Sequence, residues 1–181
     1  MTRCKVCTAE FERRSMSQAT CGDSVCRAEW KRQCAIKKAE RLEIRKRKEK
    51  LKSRADWMKD AQAAVNSFVR ERDAFLPCIS CGITNPVQWH AGHYLSRGAH
   101  PELSLDPRNI HRQCSQCNDY LSGNQIEYRK GLIRRYGQAY VDWLEGQHDA
   151  ARLSVDDLKR ITAEFKKATK ELREQRERIA A

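Results

Sequence analysis

Two cysteine pairs, Cys78-x-x-Cys81 and Cys114-x-x-Cys117, stand on either side of His93, and Asn118 directly follows the second pair. Each CxxC knuckle grips a tetrahedral ion from one side, so four thiolates make a closed structural zinc site with no position left for water. That leaves a histidine and an asparagine that the zinc does not need. A zinc-stapled loop presenting a spare His and a spare Asn is the combination expected of a phosphodiester-cleaving site. Because the thiolates saturate the zinc, such catalysis requires a second metal. A lone His beside zinc also has a plainer role, as a hydrogen-bonding partner within the fold.

The flanking sequence indicates what positions these residues. Gln88 to Tyr94 reads as a short strand ending at His93, followed by a turn-rich loop from Ser96 to Pro107. Asn109-Ile110-His111 leads back into the second knuckle, and a helix is expected from about Ser115. Upstream, Ser53 and Asp56 have the spacing of a capping box. They predict a helix to about Phe75, with Trp57, Ala61, Val65, Phe68, Val69 and Phe75 forming one apolar stripe of ordinary core. Leu76-Pro77 ends it. Downstream, helical segments are expected near Ile126–Tyr136 and Ala139–Glu145, split by Gly137. Ser154 and Asp157 form another capping box before a final helix carrying Leu158, Ile161, Phe165 and Leu172. The charged run from Arg173 to Arg178 is expected to fray.

The N-terminus carries a second cysteine quartet, Cys4-x-x-Cys7 and Cys21-x4-Cys26. The knuckle, the short spacer and a pair opening a helix resemble a treble-clef zinc finger. So few residues bury little core, so metal would supply the folding energy. Cys34 is left over as a small apolar residue on a helix. The chain has 36 basic and 24 acidic residues, a net charge of +12. From Arg27 to Arg54 there are 13 Lys and Arg against 4 Asp and Glu, so +9 of the excess lies in one run. Lacking Gly and Pro, that run reads as a helix, and its apolar residues keep no heptad. Clustered positive charge favours a nucleic-acid partner. Lys37, Lys38, Arg41, Arg45, Lys46, Arg47 and Lys48 are its candidate phosphate contacts, with a solvated helix as the plainer alternative. No run of about 18 apolar residues is present, so no membrane partner is expected, and a cytoplasmic location follows from the absence of a signal-peptide pattern. The expected fold class is mainly α with small zinc-stapled β-hairpins. It divides into a zinc module (1–26), a basic helical arm (27–54), a central domain with its preceding helix (55–136) and a C-terminal helical region (137–181).

The order CxxC, Gly92-His93, Asn109, CxxC-Asn118 resembles the ββα-metal, HNH or His-Me finger endonucleases, in particular the endonuclease VII type of junction resolvase. Along the whole chain, AVNSFVRERD, LPCISCG, AGHY, RNIHRQCSQCN and SGN are similar to the NinG (Rap) recombination proteins of lambdoid phages. The resemblance implies a structure-selective endonuclease acting on branched DNA such as Holliday junctions, D-loops or Y-forms. Location in the bacterial host cytoplasm follows, and the partners implied are a second copy of the chain and phage or host recombination proteins. It implies His93 as general base, Asn118 as ligand of a catalytic Mg2+ or Mn2+, and Asn109 as the residue that pins the loop and orients the base. Arg97 and Arg112 are candidate phosphate clamps on charge and proximity.

One position departs from the pattern. Many HNH nucleases carry a metal-binding Asp immediately before the base, and Gly92 stands there instead. His90, Asp106 and Asp119 are the candidate replacements, and a His ligand would tilt the site toward Mn2+. The same glycine motivates a second reading, a non-catalytic branched-DNA binder that recruits recombination partners. A zinc-finger regulator reading duplex sequence ranks last, for want of a recognition helix. His111 is expected to support the knuckle, and His100 and His148 to lie at the surface.

Overall fold

Asp23 opens the first long helix, α1 (Ser24–Lys50), its carboxylate accepting the backbone N–H of Val25. Cys26 is its one buried residue. A helix polar on every side is sustained by propensity and by its own charge pairs, here Glu29 with Arg32 and Glu43 with Arg47. Ahead of it, β1 (Thr2–Arg3) and β2 (Glu10–Phe11) pair antiparallel, Thr2 opposite Phe11. The computed structural model describes residues 1–150 and 152–180. The chain divides into two units, Met1–Lys52 and Ser53–Ala181. A boundary after residue 26 would cut α1 in its first turn, so the first cysteine quartet and the basic helix form one unit.

The second unit begins with the expected capping box. Ser53 accepts the Asp56 N–H and Asp56 accepts the Ser53 N–H, which starts α2 (Arg54–Arg72). Trp57, Ala61, Val65 and Val69 bury one face of α2 in a core that Leu105, Ile110 and Leu158 complete. Phe68 and Phe165 pack with ring centroids 5.1 Å apart. Phe75 does not join that stripe. The helix stops at Arg72, the Leu76 N–H turns back to the Asp73 carbonyl at 2.9 Å, and Phe75 is left 85% exposed. The cause is Asp73, whose buried carboxylate is gripped by Arg72 at 2.7 and 2.9 Å and by the Arg112 N–H at 3.0 Å. Arg72 also donates to the carbonyls of Pro107 and Ile110, each at 2.9 Å, and so ties the end of α2 to the start of the hairpin.

That hairpin is β3 (Trp89–His93) against β4 (Ile110–Cys114), antiparallel, with Trp89 opposite Cys114 and His93 opposite Ile110. Two short 3-10 turns, Pro101–Leu103 and Pro107–Asn109, shape the loop between them. Beyond β4, an α-helix expected from Ser115 is instead a single π-helical turn, Gln116–Tyr120. Ser122, Gly123 and Asn124 follow with φ of 48°, 90° and 44°, a left-handed stretch that no helix can cross.

Helices α3 (Gln125–Tyr136) and α4 (Gln138–Glu145) part at Gly137. They close a second core of Ile79, Tyr94, Leu103, Tyr128, Leu132, Val141 and Leu144. Gly131 allows α3 to reach the first knuckle, since a Cβ there would lie 1.8 Å from the Ile79 carbonyl oxygen. Ser154 and Asp157 cap the last helix, α5 (Val155–Ala180). Its charged end stays helical past Leu172 because Arg173 and Arg176 both grip Glu71 of α2, at 2.8 and 2.6 Å. Since α4 and α5 each supply core residues to the hairpin unit, residues 137–181 are not a region apart.

Candidate functional site

The sulfurs of Cys4, Cys7, Cys21 and Cys26 all lie within 4.8 Å of one another, and so do those of Cys78, Cys81, Cys114 and Cys117. Cys7 and Cys21 are 3.8 Å apart, Cys81 and Cys114 3.7 Å. Four thiolates around an ion at about 2.3 Å sit about 3.8 Å from their neighbours, whereas a disulfide needs about 2.05 Å. Both quartets therefore fit a zinc ion and could hold one. In the second quartet, backbone N–H groups of Cys114 and Cys117 donate to Cys78 and Cys114 sulfurs, and the Asn124 amide donates to Cys117, each at 3.4 Å. Such donors stabilise thiolates. Cys34 is exposed on α1.

His93 ends β3 half-buried, with Nε2 3.0 Å from the carbonyl oxygen of Ser104. A carbonyl only accepts, so Nε2 carries the proton and Nδ1 keeps a bare lone pair. The Gln62 amide, 3.4 Å away, is a secondary contact. Burial, and then the positive charge of Arg97, push the His93 pKa below its usual value despite the Ser104 bond. The ring is thus neutral near pH 7. Asn109 sets this geometry. Fully buried, it exchanges hydrogen bonds with the Leu95 backbone at 2.8 Å in both directions and donates to the Leu103 carbonyl at 3.3 Å. Those bonds fix both ends of the 95–104 loop, and so the carbonyl of Ser104.

Asn118 comes to the strand at residue 92, and no hydrogen bond links it to His93. Alternation along β3 puts Ala91 and His93 on the α2 side, and His90 and Gly92 on the other. There a Cβ on Gly92 would meet Gln113 Oε1 at 2.1 Å and Asn118 Oδ1 at 2.9 Å. No carboxylate can stand at residue 92 while Gln113 lies where it does. Nearby, His90 Nε2 is 3.3 Å from Asp119 Oδ2, buried and without a hydrogen bond. The Asn118 amide nitrogen contacts the other oxygen of the Asp119 carboxylate. One nitrogen and several oxygens thus gather on one face, donor types that divalent cations such as Mn2+ take.

Arg97 is exposed, with no hydrogen bond to the described residues, as a phosphate contact requires. Arg112 is not placed as a clamp. Its guanidinium stacks 3.6 Å over Trp89 and donates to the carbonyls of Asp73 and Ala74, which holds the turn after α2. The residues Lys37, Lys38, Arg41, Arg45, Lys46, Arg47 and Lys48 are all exposed along α1. His111 supports the second core rather than the knuckle. It bonds through Nδ1 to the Tyr128 hydroxyl at 3.2 Å, which donates to the Gly92 carbonyl at 2.9 Å. His100 pairs with Glu102 at 3.1 Å, and Asp106 takes Arg108 at 2.7 Å, outside the donor set. Ser104, Gln62 and Gln113 had no signal in the sequence, because their roles depend on loop path and cross-strand register.

The family model described as Bacteriophage Lambda NinG protein matches residues 1–177. The protein ninG of Escherichia phage lambda is 48% identical over 141 residues, covering 78% of this chain and 68% of its own. Proteins ninG of Salmonella phage P22 and Escherichia phage 933W match at 48% over the same length, covering 68% and 69% of theirs. No solved structure matches the chain. With a match along nearly its full length and relatives at that identity, the chain belongs to the NinG family.

Proposed function

We propose that the chain is a metal-dependent endonuclease of the HNH type that nicks branched DNA. The observation that carries this reading is the fixed tautomer of His93: Nε2–H held by Ser104 O leaves Nδ1 as a neutral acceptor at the end of the strand whose other face carries the cation donors. His93 Nδ1 takes a proton from the attacking water. The water oxygen bonds to phosphorus as the bond to the 3′ oxygen breaks, and that oxygen takes a proton from solvent water, leaving a 5′-phosphate and a 3′-hydroxyl. Asn118, with His90 and Asp119, would hold Mg2+ or Mn2+, which supplies charge stabilisation on the phosphate and the leaving oxygen. Arg97 meets a neighbouring phosphate, and the exposed cations of α1 track the backbone without regard to sequence. Symmetric cutting of a four-way junction takes two sites, so a two-fold dimer belongs to the proposal. Light scattering with and without junction DNA counts the subunits, and a monomer in both removes that part.

The deciding experiment is cleavage of a labelled four-way junction beside matched linear duplex in Mg2+, Mn2+ and EDTA. Metal-dependent nicking confined to the junction, reduced about 10²–10⁴-fold by His93→Ala with binding retained, is the expected result. A second reading has its own observation: Gln113 fills the space a carboxylate at residue 92 would need. A junction bound but intact in every metal would make the protein a branched-DNA binding module.

A further inference from the structure

Gln113 lies on β4 opposite His90, and its side chain is fully buried. Its amide nitrogen donates to Ser80 Oγ at 2.8 Å and to the Gly123 carbonyl at 2.6 Å. Because a carbonyl only accepts, that pairing fixes which end of the amide is which. The oxygen, Oε1, is left facing the Gly92 backbone with no hydrogen-bond partner. Asn118 is oriented by the same logic: its nitrogen faces the Asp119 carboxylate, so its oxygen also faces Gly92.

Both amide oxygens thus lie against the Gly92 backbone, at 2.1 and 2.9 Å from where a Cβ of residue 92 would be. A buried acceptor such as Gln113 Oε1 is rarely left empty, and a second amide oxygen nearby favours a positive occupant. On the same face, His90 Nε2 and Asp119 Oδ2 stand 3.3 Å apart without a hydrogen bond. That separation is ordinary for two ligands of one ion whose bonds are about 2.1 Å long.

We propose that Gln113 Oε1, with Asn118 Oδ1, ligates the divalent cation and supplies the oxygen that Gly92 has no side chain to offer. The inference rests on the nuclease reading for the purpose of the cation, but not for its existence. Glycine at residue 92 is then required rather than defective: a carboxylate there and the Gln113 amide compete for one space. The competing occupant is a water molecule donating to both oxygens.

The test is Mn2+ binding by the full chain. In the wild type, substoichiometric Mn2+ should erase the Gln113 side-chain amide signals in a nitrogen-15 spectrum before those of Gln138, an exposed glutamine. Gln113→Ala should weaken Mn2+ binding, followed by the electron paramagnetic resonance of the free ion, by about tenfold or more with zinc content unchanged. Gly92→Asp should disturb the wild-type fold but restore Mn2+ binding in the Gln113→Ala background. The proposal is overturned if Mn2+ leaves the wild-type Gln113 signals sharp, or if a folded Gln113→Ala binds Mn2+ as the wild type does. Sharp wild-type Gln113 signals overturn the proposal even where the variants do not fold. Mn2+ binding weakened by Gln113→Ala without junction cleavage in the wild type would sink the nuclease reading and keep the ligand; cleavage with sharp Gln113 signals would do the reverse.

Discussion

His93 and His111 lie on neighbouring stretches of one hairpin, and burial lowers the pKa of both, with different consequences. For His93 the lowered pKa is a statement about rate. Its base form persists below the ordinary histidine value of 6.5, so the acid limb of a cleavage-versus-pH profile should lie below that value. Arg97 contributes to the shift, and Arg97→Ala should move the limb upward; an unmoved limb would mean that Arg97 does not face the base. For His111 the consequence is stability. Burial, followed by the charge of Arg72, lowers its pKa from 6.5 to about 3. Between those values the unfolded chain binds the proton and the folded chain does not. The contribution is therefore fully present above pH 6.5 and is lost as pH falls through the window toward 3. The slope is at most about 1.4 kcal/mol per pH unit. Urea midpoints between about pH 7 and 5, taken with zinc content matched in the two proteins, should fall more steeply in the wild type than in His111→Gln.

At the scale of elements, the hairpin is held from three sides. The second cysteine quartet, which could hold zinc, joins its knuckles; Arg72 and Asp73 tie its start to the end of α2, and α3 presses on the first knuckle through Gly131. An alanine in an open helix is about 1 kcal/mol better than glycine. At residue 131 the sign should reverse, because a Cβ there would lie 1.8 Å from the Ile79 carbonyl oxygen and backbone cannot step aside. Gly131→Ala is expected to destabilise by about 2–3 kcal/mol in chemical denaturation. A stabilised variant would show that α3 stands off the knuckle. The capping boxes at Ser53 and Ser154 and the Gly137 break were legible because they are local. The end of α2 was not, since Asp73 caps it through Arg112, 39 residues away.

On the scale of the whole molecule, the two units each have a cysteine quartet, so metal analysis should find two zinc ions per chain. Cys26→Ser should remove one and melt residues 1–52, leaving the thermal transition of residues 53–181 in place. Loss of both transitions together would contradict the division. The exposed cations of α1 predict a steep salt dependence of DNA binding. Deleting residues 1–52 should lower the slope of log affinity against log salt by about 0.9 for each phosphate contact removed. An unchanged slope would place the contacts in the second unit.

Composition and spacing determined the two cysteine quartets, the basic helix and the order of helices and hairpin, while the candidacy of His93, Asn109 and Asn118 came from the resemblance of their motifs. The quartets, the basic helix and the element order rest on short-range rules: ligand bite, charge clustering, capping and helical period. The tertiary structure decided what depends on side chains meeting across the fold. It withdrew Phe75 from the core and turned Arg112 from a phosphate clamp into a staple on Trp89 and the α2 turn. It also gave Gly92 a reason, because only the register of β3 against β4 sets the Gln113 amide over residue 92.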